Sequence, residues 1–168
     1  MTTRHSLVHS THIAIRTRST GAFRTGLKDN HQTGQHELKP PRFSVVICTY
    51  NRRNMVLTAL ASLRRQSLPL KYFEVIVVDN GSADGTFNAI QTYLSTDALH
   101  RSSFEEQWKV QCLLEKRNGL AYARNTAIMA ASGDIIVFLD DDVLVDQYFL
   151  EQLWSAYEET HADAIGGA

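Results

Sequence analysis

Residues 135–142 constrain the fold more than any other stretch, because Ile-Ile-Val-Phe-Leu runs directly into Asp140, Asp141 and Asp142. The apolar run is too short for a helix and is rich in β-branched and aromatic residues, so it predicts a strand buried on both faces. The three carboxylates then lie at the C-terminal end of that strand, where ligands bind in an open α/β sheet. Because hard oxygen ligands suit Mg²⁺ or Mn²⁺, the triplet predicts a divalent-metal site that holds phosphates. A solvated acidic turn is the alternative.

Strand-like and helix-like segments alternate over the rest of residues 43–168. This alternation predicts an α/β fold with a Rossmann-like, mostly parallel sheet and helices on both faces. Strands are expected at 43–48, 75–78, 108–114 and 135–139, with the start of another at 165–168. Parallel strands end at one edge of their sheet, so three polar clusters are expected to meet there. They are Thr49 to Arg52, Asp79 to Asp84, and Asp140 to Asp142.

Residues 1–42 differ in composition from the rest of the chain. They carry seven Lys/Arg against two acids, and five of the seven His, whereas residues 43–168 carry ten Lys/Arg against sixteen acids. No sustained period runs through them, so we predict a disordered basic tail with at most a transient strand at Ile13 to Ile15. Residues 43–168 form the predicted domain. The net charge of −1 argues against a general nucleic-acid-binding function.

Apolar run lengths and the two cysteines indicate the compartment of the protein. The longest apolar runs fall far short of the roughly 18–20 residues of a membrane helix, so no transmembrane segment is expected. Cys48 and Cys112 both lie in strand-like runs, which favours free thiols in a reducing compartment. We therefore expect a cytoplasmic protein, with a peripheral position at a membrane left open.

Several residues of the strand-end clusters have side chains suited to a nucleotide. The Asp79 carboxylate can accept from an N–H such as the imide of a uracil, although capping its own turn is an equal alternative. Tyr50 offers a flat face for a base or a packing ring. Arg52, Arg124 and Lys116-Arg117 can neutralise phosphates, although a solvated surface position is the default for any one of them alone. Neither G-x-G-x-x-G nor G-x-x-x-x-G-K-[ST] is present. A metal–diphosphate site is therefore favoured over dinucleotide binding.

Four ordered motifs resemble those of glycosyltransferase family 2, whose members have the GT-A fold. They are V-V-I-C-T-Y-N-R (45–52), V-I-V-V-D-N-G-S-A-D-G-T (75–86), N-G-L-A-Y-A-R-N (118–125) and G-D-I-I-V-F-L-D-D-D (133–142). Their order and spacing agree with the family over about residues 43–168, which makes the resemblance more specific than a lone D-x-D motif.

The resemblance implies a nucleotide-sugar donor, usually a UDP-sugar, and an acceptor that is a saccharide, a lipid or a protein. It places Thr49 and Tyr50, with Asn51 and Arg52 beside them, at the base pocket and makes Asp79 the acceptor for the base. The remaining roles are given by the same likeness. Arg124 and Asn118 would flank the nucleotide. Asp140 would lie near the ribose or the metal, and Asp142 would coordinate Mn²⁺ or Mg²⁺. Because three acids stand in a row, the ribose and metal contacts could each shift by one residue to Asp141.

The sequence departs from the family in ways that bear on activity. Family members continue for about another hundred residues that carry the acceptor site and its base, so residues 43–168 are expected to be an incomplete domain, truncated at the C-terminus. Inverting transfer needs a base opposite the leaving group, and no candidate is found. The alternative is a catalytically incompetent nucleotide-sugar-binding fragment or regulatory remnant. A phosphatase of the haloacid-dehalogenase type is disfavoured, because two strands with their own motifs precede Asp140.

Overall fold

The computed structural model describes residues 13–16, 43–96 and 108–166. These residues form six strands, four α-helices and a short 3-10 helix at Leu70–Tyr72. The strands are β1 (Ile13–Arg16), β2 (Phe43–Thr49), β3 (Phe73–Asp79), β4 (Lys109–Leu114), β5 (Ile135–Asp140) and β6 (Ala164–Gly166). The helices are α1 (Arg53–Leu63), α2 (Thr86–Ser95), α3 (Leu120–Ala130) and α4 (Phe149–Thr160).

All six strands belong to one sheet, in the order β4-β3-β2-β5-β1-β6. The four strands from β4 to β5 are parallel neighbours, whereas β1 is antiparallel to both β5 and β6. From β2 the chain first adds β3 and β4 on one side and then returns to place β5 on the other side. The strand order therefore reverses between β2 and β5, and the carboxyl ends of these two strands form the crevice in which α/β sheets bind ligands.

Helices cover both faces of the sheet, as the sequence predicted. On one face, α1, α2 and α4 bury Leu60, Ile90 and Leu150 against the strands. On the other face, α3 packs through Ala123 and Ala127, which are both fully buried. Alanine has no side chain beyond Cβ, so α3 lies close to the sheet. The doubly covered strands β2 and β3 are apolar on both faces, which explains their continuous hydrophobic runs.

Strand β1 lies outside the predicted domain of residues 43–168. At most a transient strand was expected at Ile13 to Ile15 in a disordered tail, whereas residues 13–16 form a strand between β5 and β6, with Ala14 buried. Ile13 lies opposite Phe138, and Arg16 lies opposite Ile135. The pairing gives hydrogen-bond partners to backbone groups of β5 that would otherwise be exposed at a sheet edge. These long-range hydrogen bonds stabilise a strand that the local sequence of residues 13–16 only weakly favours. The remaining residues of 1–42 lie outside the described part of the chain.

Other boundaries differ from prediction by small amounts. Strands β2 and β5 each continue one residue further than expected, to Thr49 and Asp140, so both reach the functional edge as regular strand. The expected last strand is present as β6, while residues 167–168 lie outside the described residues. Among the described helices, none has the length and apolar character needed to cross a bilayer. Cys48 and Cys112 are free and partly buried.

Candidate functional site

Direct hydrogen bonds between predicted site residues connect the ends of β2 and β5 at the crevice. The hydroxyl of Thr49, the last residue of β2, donates to Asp141 Oδ2 over 2.8 Å. Nη1 of Arg52 donates to Asp141 Oδ1 over 3.0 Å and to Asp142 Oδ2 over 2.9 Å. The two carboxylates raise the pKa of Arg52, and Asp141 contributes most. The structure thus brings the end of the first motif and the acidic triplet together.

The three carboxylates of the triplet have different environments. Asp141 points inward, and its side chain is only 8% exposed, with both oxygens engaged by Thr49 and Arg52. Asp142 is 48% exposed, and Asp140 is also exposed. Asp140 is the last residue of β5, and Asp141 and Asp142 lie in the turn that follows it, so the accessible carboxylates are those of Asp140 and Asp142. The role of Asp141 toward a ligand stays a prediction.

Asp79 ends β3 beside this crevice, directly opposite Thr49 in the sheet. Its side chain is fully buried. Oδ1 accepts from the backbone N–H of Ser82 over 3.1 Å and from the Ser82 hydroxyl, so Asp79 does cap its own turn. Oδ2 is buried and accepts no hydrogen bond from the described residues. A buried carboxylate oxygen without a donor is costly, and one reason to retain it is a ligand N–H.

The loops after β2 and β3 are bonded to each other. Asn51 has a φ of 56°, in the left-handed region that Asn tolerates, and its side-chain oxygen accepts from the N–H of Ala83 over 2.8 Å. Its own N–H donates to the Ser82 hydroxyl over 2.8 Å. In the described structure Asn51 therefore joins two loops, and its predicted contact with a nucleotide stays a prediction. The neighbouring Tyr50 is 55% exposed, so its ring is available to a ligand.

Asn80 is a site residue that the sequence reasoning missed. Its Nδ2 donates to the carbonyls of Glu115, over 3.2 Å, and Arg117, over 2.7 Å. Its Oδ1 accepts from the N–H of Gly119 over 2.9 Å. These bonds attach the 115–119 loop to the end of β3 and bring exposed Asn118 beside Gly81. Only the place of Asn80, directly after a strand-end Asp, could have indicated this role.

A second group of predicted residues lies on the α3 side of the same strand ends. Arg124 and Asp140 line an open groove of about 810 Å³ together with Cys48. The Arg124 guanidinium lies 5.5 Å from the centroid of Phe138. Burial raises the pKa of the Cys48 thiol to about 11, which Arg124 opposes and the nearby carboxylates reinforce. The thiol is therefore neutral near pH 7, and the charged groups of the groove are Arg124 and Asp140.

The donor set of the edge fits a metal that takes part of its ligands from a bound molecule. No group of three or more His, Cys, Asp or Glu side chains in 13–16, 43–96 and 108–166 is arranged to hold a metal ion by itself. Mg²⁺ and similar hard ions are commonly held by one or two carboxylates plus phosphate oxygens and water. Asp140 and Asp142 can supply that number of protein ligands, and a phosphate-bearing ligand would complete the coordination of such a metal.

Comparison with protein families gives a match over most of the chain. A family model described as Glycosyl transferase family 2 matches residues 44–168. Poly(ribitol-phosphate) beta-N-acetylglucosaminyltransferase TarS of Staphylococcus aureus is 31% identical over 124 residues, which are 74% of this chain and 20% of the relative. Glycosyltransferase AglE of Haloferax volcanii is 36% identical over 128 residues, 76% of this chain and 39% of the relative. The chain thus spans well under half the length of these relatives.

Solved structures give the same assignment of the fold. A crystal structure of S. aureus TarS 1–349 in complex with UDP superimposes with a TM-score of 0.60 and 28% identity, covering 71% of this chain and 33% of the other. Mannosyltransferase PcManGT from Pyrobaculum calidifontis, in complex with GDP-Man and Mn²⁺, has a TM-score of 0.60 and 30% identity, covering 72% and 32%. The parallel sheet with helices on both faces is therefore the GT-A arrangement that the sequence predicted.

Proposed function

This chain belongs to glycosyl transferase family 2, and on that premise we propose that its strand-end cluster binds a nucleotide-sugar donor through a divalent metal, Mn²⁺ or Mg²⁺. We propose a UDP-sugar as the donor. The observation that carries the proposal is the edge shared by two features. These are a buried oxygen of Asp79 that accepts no hydrogen bond from the described residues, and two accessible carboxylates, Asp140 and Asp142.

Asp79 is the proposed acceptor for the base. Its Oδ2 can take the imide N–H of uracil, and the buried setting strengthens a hydrogen bond to a charged acceptor. Thr49 lies opposite Asp79, and Tyr50 follows with an exposed ring that can stack on the base. TarS has been solved with UDP and PcManGT with GDP-Man. A carboxylate can also accept from guanine, so the base is a question for the experiment below.

The diphosphate and sugar are the proposed ligands of the acidic triplet and the groove. Asp142 and Asp140 would hold the metal, with Asp140 also within reach of the ribose. A bound divalent ion would act as a Lewis acid that stabilises the diphosphate leaving group. Arg124, in the groove with Asp140, would supply a positive charge to the nucleotide, and exposed Asn118 would lie at its flank. Asp141 would help to position Asp142, because its buried carboxylate fixes the turn after β5 through its bonds to Thr49 and Arg52.

Calorimetric titration of the 168-residue chain tests donor binding. UDP with Mn²⁺ is expected to bind, GDP with Mn²⁺ to bind more weakly, and UDP with EDTA to lose most of its affinity. Asp79→Asn, which exchanges the acceptor oxygen for an amide without changing size, is the matched variant. No heat with UDP and Mn²⁺ at millimolar ligand would contradict the proposal, and a preference for GDP would change the donor but keep the site.

We further propose that these residues do not transfer a sugar by themselves. Transfer with inversion needs a base for the acceptor hydroxyl. Among the described residues of the edge, the accessible carboxylates of Asp140 and Asp142 are assigned to the metal and ribose, and the exposed Asp84 carboxylate accepts from the N–H groups of Arg53 and Thr86. A donor-hydrolysis and transfer assay with saccharide, lipid and protein acceptors tests this. Clear turnover with any acceptor would overturn it.

A further inference from the structure

Arg52 makes an unusual pair of contacts for an exposed arginine. One nitrogen, Nη1, touches two carboxylates, Asp141 at 3.0 Å and Asp142 at 2.9 Å. The guanidinium therefore occupies the space between the inward and the outward members of the acidic triplet. The carbonyl of Arg52 accepts from the N–H of Val56 at the start of α1 over 3.1 Å, which ties its backbone to the helix.

The two contacts differ in the exposure of the carboxylate. Asp141 is 8% exposed and is also held by Thr49, so its bond to Arg52 is shielded from water. Asp142 and Arg52 are each 48% exposed, and ion pairs between exposed groups contribute little stability. The Asp141 contact is therefore the anchor, and the Asp142 contact is the one that a competing cation can replace. Such a competitor must bind at the carboxylate already assigned to the metal.

We propose that Arg52 is the resident counter-cation of Asp142 in the metal-free protein, and that a divalent ion must displace its guanidinium from that carboxylate in order to bind. This inference rests on the proposed function, since it concerns the same metal. The guanidinium stays on Asp141 after the exchange and so keeps the turn in place. The arrangement limits metal binding in the absence of a nucleotide, whose diphosphate supplies the missing oxygen ligands.

The exchange predicts a gain of metal affinity when Arg52 is removed, which is opposite to the effect of a merely structural residue. A unit charge next to a divalent ion in water weakens its binding by about three- to tenfold at a separation of several ångströms. Arg52→Gln removes the charge but keeps a donor for Asp141. We expect it to bind Mn²⁺ about three- to tenfold more tightly than the wild type when no nucleotide is present.

The test is a Mn²⁺ titration of the full chain, in which the electron paramagnetic resonance signal of free Mn²⁺ reports binding. Arg53→Gln is the matched control, because it makes the same charge change one residue away. Among the described residues its side chain contacts neither Asp141 nor Asp142. The control is expected to stay within twofold of the wild type. Circular dichroism melting of each variant identifies any loss of folding, and Arg52→Met provides a second neutral side chain if Arg52→Gln melts early.

The outcomes separate this inference from the proposed function. Tighter Mn²⁺ binding in Arg52→Gln but not in Arg53→Gln supports the exchange. Equal or weaker binding in folded Arg52 variants overturns it, even where the wild type binds UDP with Mn²⁺ and the proposed function stands. Mn²⁺ that binds neither protein also overturns it. Failure of the wild type to bind UDP with Mn²⁺ contradicts the proposed function, whatever the Arg52 variants do with the metal alone.

Discussion

Strand β3 carries a buried carboxylate at each end, and the two differ in how their charge is compensated. Glu74, at the amino end, is 1% exposed, and Oε1 accepts from the Ser44 hydroxyl at 2.7 Å and from the N–H and hydroxyl of Ser132 at 2.6 and 2.7 Å. Its buried Oε2 has no neutral hydrogen-bond donor among the described residues, but Lys109 Nζ lies 2.5 Å away and pairs its charge. Asp79, at the carboxyl end, accepts hydrogen bonds from the described residues through Oδ1 alone.

This difference separates a structural carboxylate from one that can bind. The partners of Glu74 come from β2, β4 and the turn before β5. Its carboxylate therefore connects these elements at the end of the sheet opposite the proposed site. Asp79 keeps one buried acceptor free at the end where the strand order reverses. Burying a carboxylate stabilises a fold only when its oxygens find donors, so a spare oxygen at the functional edge indicates a ligand donor.

The largest expected effect is on stability, at Glu74. Glu74→Ala leaves the donors of Ser44 and Ser132 without their acceptor and Lys109 without its counter-ion. We expect the free energy of unfolding to fall by about 3 kcal/mol, since donors left unsatisfied in a buried site cost about 1–3 kcal/mol each and Lys109 can still reach water. Urea denaturation measures this. A loss below about 1 kcal/mol would contradict the structural role given to Glu74, and with it the contrast with the binding role given to Asp79.

The same carboxylate gives a pH prediction. Burial would raise the pKa of Glu74, but the hydrogen bonds from Lys109, Ser132 and Ser44 lower it to about 2. A folded pKa below the unfolded value of about 4.3 stabilises the fold above that pH, and the contribution is lost as the pH falls toward 2. The stability difference between wild type and Glu74→Gln should therefore shrink between about pH 4.5 and pH 2. A difference that is independent of pH across this range would contradict the assignment.

At the other end of β3, Asp79→Asn is expected to act on binding and not on folding. A hydrogen bond to a charged acceptor contributes about 1.5–3 kcal/mol, so the affinity for UDP with Mn²⁺ should fall by about 10- to 100-fold. Stability should stay within about 1 kcal/mol, because the amide still accepts from Ser82 and no buried charge remains. Calorimetry and urea denaturation of the same sample give both values. A variant that loses stability but keeps its affinity would reverse the two roles.

A smaller effect is expected at Asn80, which joins the end of β3 to the 115–119 loop. Asn80→Ala removes three hydrogen bonds to the backbone, and we expect a loss of about 1–2 kcal/mol in stability. Amide hydrogen exchange should become faster in residues 115–119 and unchanged at Ser44 and Ser132. Exchange that is unaltered in the loop would show that Asn80 does not position it.

The sequence predicted the strands whose pattern is local and missed the contacts that depend on distant partners. Strand β5 with its acidic triplet was recognised because a strand buried on both faces must be apolar without interruption. Strand β1 is four residues long and owes its place to pairing with β5, more than a hundred residues away. The Asn80 contacts span 35 to 39 residues, and no local pattern indicates them.

The acidic triplet shows both the reach and the limit of sequence reasoning. Its position at the end of β5 was predicted and is observed, whereas the assignment of a metal to Asp140 and Asp142 stays a prediction. The inward orientation of Asp141 was not predicted, because Asp141 lies in the turn after β5 and its side chain is held there by Thr49 and Arg52. Its bond to Arg52 depends on where an exposed side chain settles, and residue spacing carries no information about that.

The central claim is that the loops following β2, β3 and β5 bind one ligand together. Hydrogen exchange of the 168-residue chain, with and without UDP and Mn²⁺, tests it most directly. We predict slower exchange in residues 49–52, 79–85 and 140–143 at once, and no change around Glu74 at the opposite end of the sheet. Protection confined to one loop, or protection at the Glu74 end, would contradict the claim.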